Sequence, residues 1–117
     1  MKYLLLIYSN DEKWAAIPEE VREKEVAKQA AWNAQYMASG ELLAAYGLGS
    51  ETEASLIRRK DDAPFVTDGP YLEAKEFVGS LYVIEAPTPE RAREIAADLP
   101  WAVENPVEMW PILYEWK

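Results

Sequence analysis

The chain has 117 residues, enough for one domain, and its 12 basic and 21 acidic residues give a formal net charge of −9. This charge argues against nucleic acid or an anionic membrane as a partner, because both require a basic surface. Cysteine and histidine are absent from the sequence, which excludes disulfides, thiolate chemistry and imidazole ligands or bases. No spaced acidic loop suited to a hard cation is present either, and we expect neither a metal site nor a cofactor. The first apolar run is too short for a signal peptide or a membrane span, so we expect a cytoplasmic protein.

The first third of the chain predicts a strand, a loop and a long helix. Residues 2–8 read as a strand with apolar side chains on both faces, which needs cover on both sides. Residues 9–16 are polar and acidic and predict a loop, with Trp14 as its anchor. Pro18 suits the first helical position, and the helix should run to about residue 39 and stop at Gly40.

Small residues on this helix predict close packing against a sheet. The predicted stripe consists of Ala27, Ala30, Ala31, Ala34, Met37 and Ala38. Trp32 and Tyr36 lie beside it and are spaced to pair on one helix face. We expect them to pack at the flank or at a subunit contact rather than to line a ligand site.

The second half predicts a hairpin, two further strands and one helix. Residues 42–48 read as a strand, and residues 54–60 and 65–67 as a hairpin around a turn at residues 61–64. Residues 78–86 form another strand that is apolar on both faces. Thr88 and Pro89 begin a helix as N-cap and first residue, and Pro100 closes it. Its buried stripe should be Ala92, Ile95, Ala96 and Leu99.

The last strand is predicted over residues 107–116, with Pro111 indicating an edge position. The element order is then β-α-β, a hairpin excursion, and β-α-β. Right-handed crossovers place both helices on one face of the sheet. The opposite apolar face has no cover from its own chain, and we therefore expect a homodimer that packs through its sheet faces.

A polar turn at residues 66–76 lies between two of these strands and reads VTDGPYLEAKE. Its Asp-Gly-Pro-Tyr-Leu-Glu-Ala-Lys-Glu segment resembles the signature of the YCII-related family, in particular its DGPF branch. The resemblance covers nearly the whole chain, so one YCII-related domain is expected over residues 1–117. It implies an α+β, ferredoxin-like fold (βαββαβ with an inserted β-hairpin) of the dimeric α/β-barrel type with an antiparallel sheet.

The turn also holds the candidate site residues. Asp68 can act as a general acid or base, or hold a donor group of a ligand, while the alternative is that it only builds the turn. Lys75 and Glu76 either complete a polar pocket as catalytic groups or form a solvated ion pair. Strand alternation sends Arg58 and Arg59 to opposite faces, so one of them can reach a pocket. We expect the ligand-binding residues to be Tyr8, Arg58, Gly69, Pro70, Tyr71 and Glu73.

Two functional hypotheses follow. The resemblance implies relatives that include small-molecule lyases, isomerases and monooxygenases, so the first is a cofactor-independent lyase or isomerase with a pocket where the turn meets Tyr8 and the first helix. The His-Asp pair proposed as an active site in the wider family cannot transfer, because histidine is absent. The second hypothesis is a non-catalytic ligand-binding or regulatory dimer, since genes of this branch often neighbour those of sigma factors.

Overall fold

The computed structural model describes residues 1–68, 76–103 and 105–117, without the side chains of Lys60, Phe65, Thr67 and Asp68. Its six strands are β1 Lys2–Ser9, β2 Leu42–Gly47, β3 Ser55–Lys60, β4 Ala63–Asp68, β5 Phe77–Glu85 and β6 Val107–Pro111. Its three α-helices are α1 Asp11–Ala16, α2 Glu19–Ala38 and α3 Pro89–Ala97. Short 3-10 helices cover Glu51–Glu53 and Pro100–Val103. Within the described ranges, no helix is both long enough and apolar enough to cross a membrane.

Four strands form one antiparallel sheet in the order β2-β5-β1-β6. With the β3–β4 excursion set aside, this is the βαββαβ order of a ferredoxin-like α+β fold, as predicted. β1 lies in the interior of the sheet, where Leu5 faces Tyr82 on β5 and Met109 on β6. The β1–β5 register shifts between Ile7 and Tyr8.

Alternation along β1 decides which sheet face carries the core. Tyr3, Leu5 and Ile7 are buried, while Leu4 and Leu6 between them are only partly buried. Side chains from α2 and α3 complete the same core, which places both helices on one sheet face, as predicted. The remaining core residues are Trp32, Tyr36, Leu42, Tyr82, Ile84, Ala86, Ala92, Ile95, Ala96 and Leu99.

The prediction for the packing face of α2 is wrong. The alanine and methionine stripe is exposed, and the residues that α2 buries are Trp32 and Tyr36. The Trp32 ring packs against Tyr82 with centroids 5.2 Å apart and donates from Nε1 to the Ile95 carbonyl at 3.3 Å. Two large aromatic side chains remove far more apolar surface from water than alanines, so they determine the orientation of the helix.

The region after β1 is also not the predicted loop, because residues 11–16 form α1. The Asn10 side chain accepts a hydrogen bond from Lys13 N at 3.0 Å and caps the helix. α2 then begins at Glu19 with Pro18 as its N-cap, and Gly40 follows the helix with a φ of 81°. Asp11 and Glu12 therefore form the first turn of α1, where the helix dipole favours acidic side chains.

The hairpin turn is tighter than predicted. Asp61 and Asp62 form a two-residue turn with φ angles of 51° and 62°. Positive φ at both positions is the requirement of a type I′ turn, which matches the twist of the flanking strands. Ala63 and Pro64 consequently belong to β4, and β3–β4 forms a separate two-stranded sheet.

At the C-terminal end, the N-cap of α3 and the edge position of β6 are confirmed. The Thr88 hydroxyl accepts from Arg91 N at 3.1 Å, and β6 is the outer neighbour of β1. The strand ends at Pro111, well before residue 116. Pro111 lies opposite Tyr3, and Ile112 N donates to Lys2 O at 2.9 Å. β1 itself begins at Lys2, and its pairing with β6 ends at Tyr3 and Pro111.

Candidate functional site

A cavity of about 620 Å³ lies at the C-terminal end of β1. It is bounded by the sheet on one side and by α1, α2 and the segment after β2 on the others. Its volume is in the range of pockets that hold small molecules.

The apolar part of the wall is mainly aromatic. Its residues are Ile7, Tyr8, Trp14, Ile17, Ala45, Tyr46, Leu48, Tyr82 and Trp101. Trp14 from α1 and Trp101 from the 3-10 helix at Pro100–Val103 meet with ring centroids 5.1 Å apart. This contact joins two segments that are distant in sequence, so it requires the folded chain.

The polar part of the wall carries hydroxyls, amides and two charged groups. Its residues are Ser9, Asn10, Asp11, Lys13, Gln29, Asn33, Ser50, Ser80 and Asn105. Asp11 accepts a hydrogen bond from the Ser50 hydroxyl at 2.7 Å. Gln29 Nε2 donates to Asn33 Oδ1 at 2.9 Å, and Gln29 Oε1 is buried without a hydrogen-bond partner in the described part of the chain.

The short helix α1 positions the Asp11 and Trp14 side chains in the wall. The Asn10 cap sets the start of the helix, and Asp11 and Trp14 then lie three residues apart, on one helix face. Both residues line the cavity. Lys13 also lines it, and its Nζ lies 3.4 Å from the Glu76 carboxylate.

A close approach between Gly79 and Ser9 shapes the floor of the cavity. A Cβ at Gly79 would overlap the Ser9 hydroxyl and lie 2.8 Å from Ser9 Cβ. The Gly79 carbonyl also accepts from Leu48 N at 2.9 Å, which ties down the segment after β2. Glycine is therefore required where the β1–β5 register shifts.

The two tyrosines of the wall whose pKa is shifted keep their protons at neutral pH. Burial, together with a hydrogen bond involving Glu108, raises the pKa of Tyr8. Burial also raises the pKa of Tyr82, whose hydroxyl donates to Ser80 Oγ at 3.3 Å. Both therefore serve as hydrogen-bond donors rather than as bases.

The model of the YCII-related domain family matches residues 1–117. The chain belongs to the YCII-related family. An uncharacterised protein of Rhizobium meliloti (strain 1021) is 28% identical over 99 residues, which are 85% of this chain and 80% of the relative. Membership of the DGPF branch is supported by the motif residues alone and stays a prediction.

Among solved structures, the chain is similar to the 5-chloro-2-hydroxyhydroquinone dehydrochlorinase TftG from Burkholderia phenoliruptrix AC1100, in complex with 2,5-dihydroxybenzoquinone. The sequence identity is 17%, the TM-score is 0.49, and the match covers 95% of this chain and 94% of that one. A likeness this distant assigns no activity to the YCII-related protein.

Two of the predicted site residues lie at the cavity of this YCII-related protein. Tyr8 is part of the wall, and Glu76 pairs with the wall residue Lys13 at 3.4 Å. Arg58 is exposed on β3, apart from the described wall of the cavity. Asp68 ends β4 opposite Ser55, and its side chain lies outside the described atoms. The predicted roles of Gly69, Pro70, Tyr71, Glu73 and Lys75 also fall outside the described residues.

Sequence reasoning missed most of the wall. Asp11 and Lys13 fall in the predicted loop, and Gln29 and Asn33 are not among the predicted site residues. A signal was present, because Gln29 and Asn33 are amides four residues apart on the helix face that carries Trp32 and Tyr36. Trp101 had no local signal, since only its contact with Trp14 places it at the site.

Proposed function

We propose that this YCII-related protein binds a small organic molecule in the cavity at the end of β1. The observation that carries the proposal is the cavity itself, in which an aromatic wall meets amides, hydroxyls and a carboxylate. Ligand sites in proteins commonly combine an apolar wall with a few polar groups that orient the ligand.

Filling the cavity tests this proposal. Ala45 lines the cavity and lies opposite Tyr82, whereas Ala44 on the same strand lies opposite Val83. Ala45→Leu should weaken binding of small aromatic compounds by roughly tenfold or more, while Ala44→Leu should leave it unchanged. Calorimetry measures the affinity, and thermal unfolding checks that both variants are folded. Equal binding by wild type and Ala45→Leu would exclude the cavity as the site.

We further propose that the protein acts as a homodimer through the sheet face opposite the helices. Leu4, Leu6 and Val83 on that face are only partly buried, and Trp110 is 56% exposed. The radius of gyration is 16.2 Å, against roughly 13 Å expected for a compact chain of this length. A second copy would bury this apolar face, which supports dimerisation in water.

A second candidate function is a cofactor-independent lyase or isomerase. The Lys13–Glu76 contact supports it, because it holds the Glu76 carboxylate 3.4 Å from a lysine of the cavity wall. A carboxylate there would transfer a proton to or from the bound molecule. The cytoplasm stays the expected compartment.

Paired carboxylate variants separate catalysis from a purely binding or regulatory role. For a compound that both binds and reacts, Glu76→Gln or Asp68→Asn should retain the affinity and lower turnover by roughly a hundredfold or more. Product formation is followed by chromatography. If wild type and both variants bind compounds from a wide panel but convert none of them to product, the result would favour the binding role.

A further inference from the structure

The charges around the cavity do not cancel among the described residues. Asp11 and Lys13 are the charged members of the described wall. Lys13 Nζ lies 3.4 Å from the Glu76 carboxylate, so its charge is already paired. The Asp11 carboxylate accepts a hydrogen bond from Ser50, a neutral group that leaves its charge in place.

The aromatic wall adds to this negative potential. Tyr8, Trp14, Tyr46, Tyr82 and Trp101 all line the same cavity. The face of an aromatic ring is negative because of its quadrupole, and it attracts cations within about 6 Å. The attraction grows where water is excluded.

The whole chain has the same sign as the cavity. Its net charge of −9 repels anions and attracts cations toward the surface. An anionic ligand would meet this field without an unmatched cation in the described wall. A protonated amine would meet a carboxylate and several aromatic side chains.

We infer that the cavity binds an organic cation, a protonated amine on an aromatic or aliphatic body, with Asp11 as the residue that selects the charge. The amine lies against the Asp11 carboxylate, and the apolar body of the ligand packs on Trp14 and Trp101. This inference rests on the proposed ligand-binding function and specifies its ligand class.

Three probes of similar shape test the charge preference. Phenethylamine, 2-phenylethanol and phenylacetate share a benzene ring on a short chain and are cationic, neutral and anionic at neutral pH. Calorimetry at low salt should show phenethylamine binding roughly tenfold more tightly than 2-phenylethanol, with phenylacetate weakest. Added salt should reduce the advantage of the amine.

A matched pair of variants tests the role of Asp11. Asp11→Asn removes one negative charge from α1 and keeps an acceptor for Ser50, and Glu12→Gln removes one charge from the next residue, which lies outside the described wall. Asp11→Asn should reduce phenethylamine affinity to that of 2-phenylethanol, while Glu12→Gln should leave the ratio unchanged. Thermal unfolding confirms that both variants fold.

The outcomes separate the two proposals. If 2-phenylethanol or phenylacetate binds as tightly as phenethylamine, the cation inference is overturned and the ligand-binding function stands. If Asp11→Asn and Glu12→Gln have equal effects, Asp11 is not the selecting residue, and the inference is likewise overturned. If none of the three probes binds, both the inference and the proposed function fail.

Discussion

The indole rings of Trp14 and Trp101 meet edge to face, with their centroids 5.1 Å apart and their planes inclined by 62°. This contact holds the six-residue helix α1, which has no buried residue of its own, against the 3-10 helix that follows α3. Since both rings also line the cavity, the pair links the order of α1 to the shape of the site.

Removing one ring of this pair should loosen the site. Trp14→Ala is expected to destabilise the protein by about 1 kcal/mol and to weaken ligand binding. Near-ultraviolet circular dichroism and urea unfolding measure these effects. Trp116→Ala is the control, because Trp116 is 93% exposed. Identical behaviour of the two variants would contradict a role for the pair.

Gly79 should not tolerate a side chain. Gly79→Ala would drive its Cβ into Ser9, and we expect it to cost about 1–3 kcal/mol of stability. Adding Ser9→Gly should recover much of this cost, because it removes the two Ser9 atoms that the new methyl group would overlap. A double-mutant cycle by urea unfolding measures the coupling. Purely additive effects would show that the close approach is relieved elsewhere.

The Glu41–Arg91 ion pair should stabilise the fold in a pH-dependent manner. Glu41 accepts from Arg91 Nε at 2.7 Å and from Nη2 at 3.0 Å. The hydrogen bond from Arg91 lowers the pKa of Glu41 from its ordinary value of 4.5. The stabilisation is therefore present above that value and is lost as the pH falls through the lowered one.

Glu41→Gln should accordingly cost about 1 kcal/mol at neutral pH, after allowance for the partial exposure of the pair, and little in acid. The control is Glu90→Gln, whose partner Arg93 lies 3.8 Å away with both side chains mostly exposed. Its effect should be smaller, because only a weak exposed pair and the interaction with the helix dipole at the first turn of α3 are lost. Thermal unfolding over a pH series compares the stabilities of Glu41→Gln and Glu90→Gln with that of wild type. A loss of stability in Glu41→Gln that persists in acid would argue against the ion pair as its cause.

The Tyr36 hydroxyl should make stability sensitive to alkali. It is buried and donates to Asp98 Oδ2 at 2.7 Å. Burial, followed by this hydrogen bond, raises the pKa of Tyr36 to about 12. The unfolded chain therefore loses the proton first, and the stabilisation is complete below about pH 10 and disappears as the pH rises toward 12.

Tyr36→Phe should thus cost about 1 kcal/mol at neutral pH, and the gap to wild type should close in alkali. Urea unfolding of wild type and Tyr36→Phe between about pH 8 and about pH 11 measures this difference in the free energy of unfolding. Subtracting one from the other cancels the contributions of the other tyrosines. A constant gap over this range would contradict the raised pKa.

The dimer proposal predicts an effect of charge on the open sheet face. Leu6 lies between Leu81 on β5 and Glu108 on β6, and Leu6→Glu should convert a dimer to a monomer, because a buried unpaired carboxylate is costly. Ala30→Glu on the exposed face of α2 should remain dimeric. Sedimentation at micromolar concentration distinguishes these states, and a stable wild-type monomer would overturn the proposal.

Local chemistry made several elements predictable. Thr88 and Pro89 mark a helix start through capping and a preset φ, and both act within a few residues of themselves. The family resemblance implied the ferredoxin-like topology, whereas the runs of β1 and β5, apolar on both faces, indicated strands of a sheet. These features depend on neighbours in sequence, which is why they could be read without coordinates.

The family, the order of the sheet strands with the two longer helices, and a chemistry without histidine or cysteine could be read from the amino-acid sequence. Packing of the folded chain decided that Trp32 and Tyr36, rather than the alanines of α2, face the core. It also decided that the cavity joins Asp11 to Ser50 and Trp14 to Trp101. Such contacts depend on which distant side chains compete most effectively for burial and hydrogen bonds, and that competition takes place only in the packed chain.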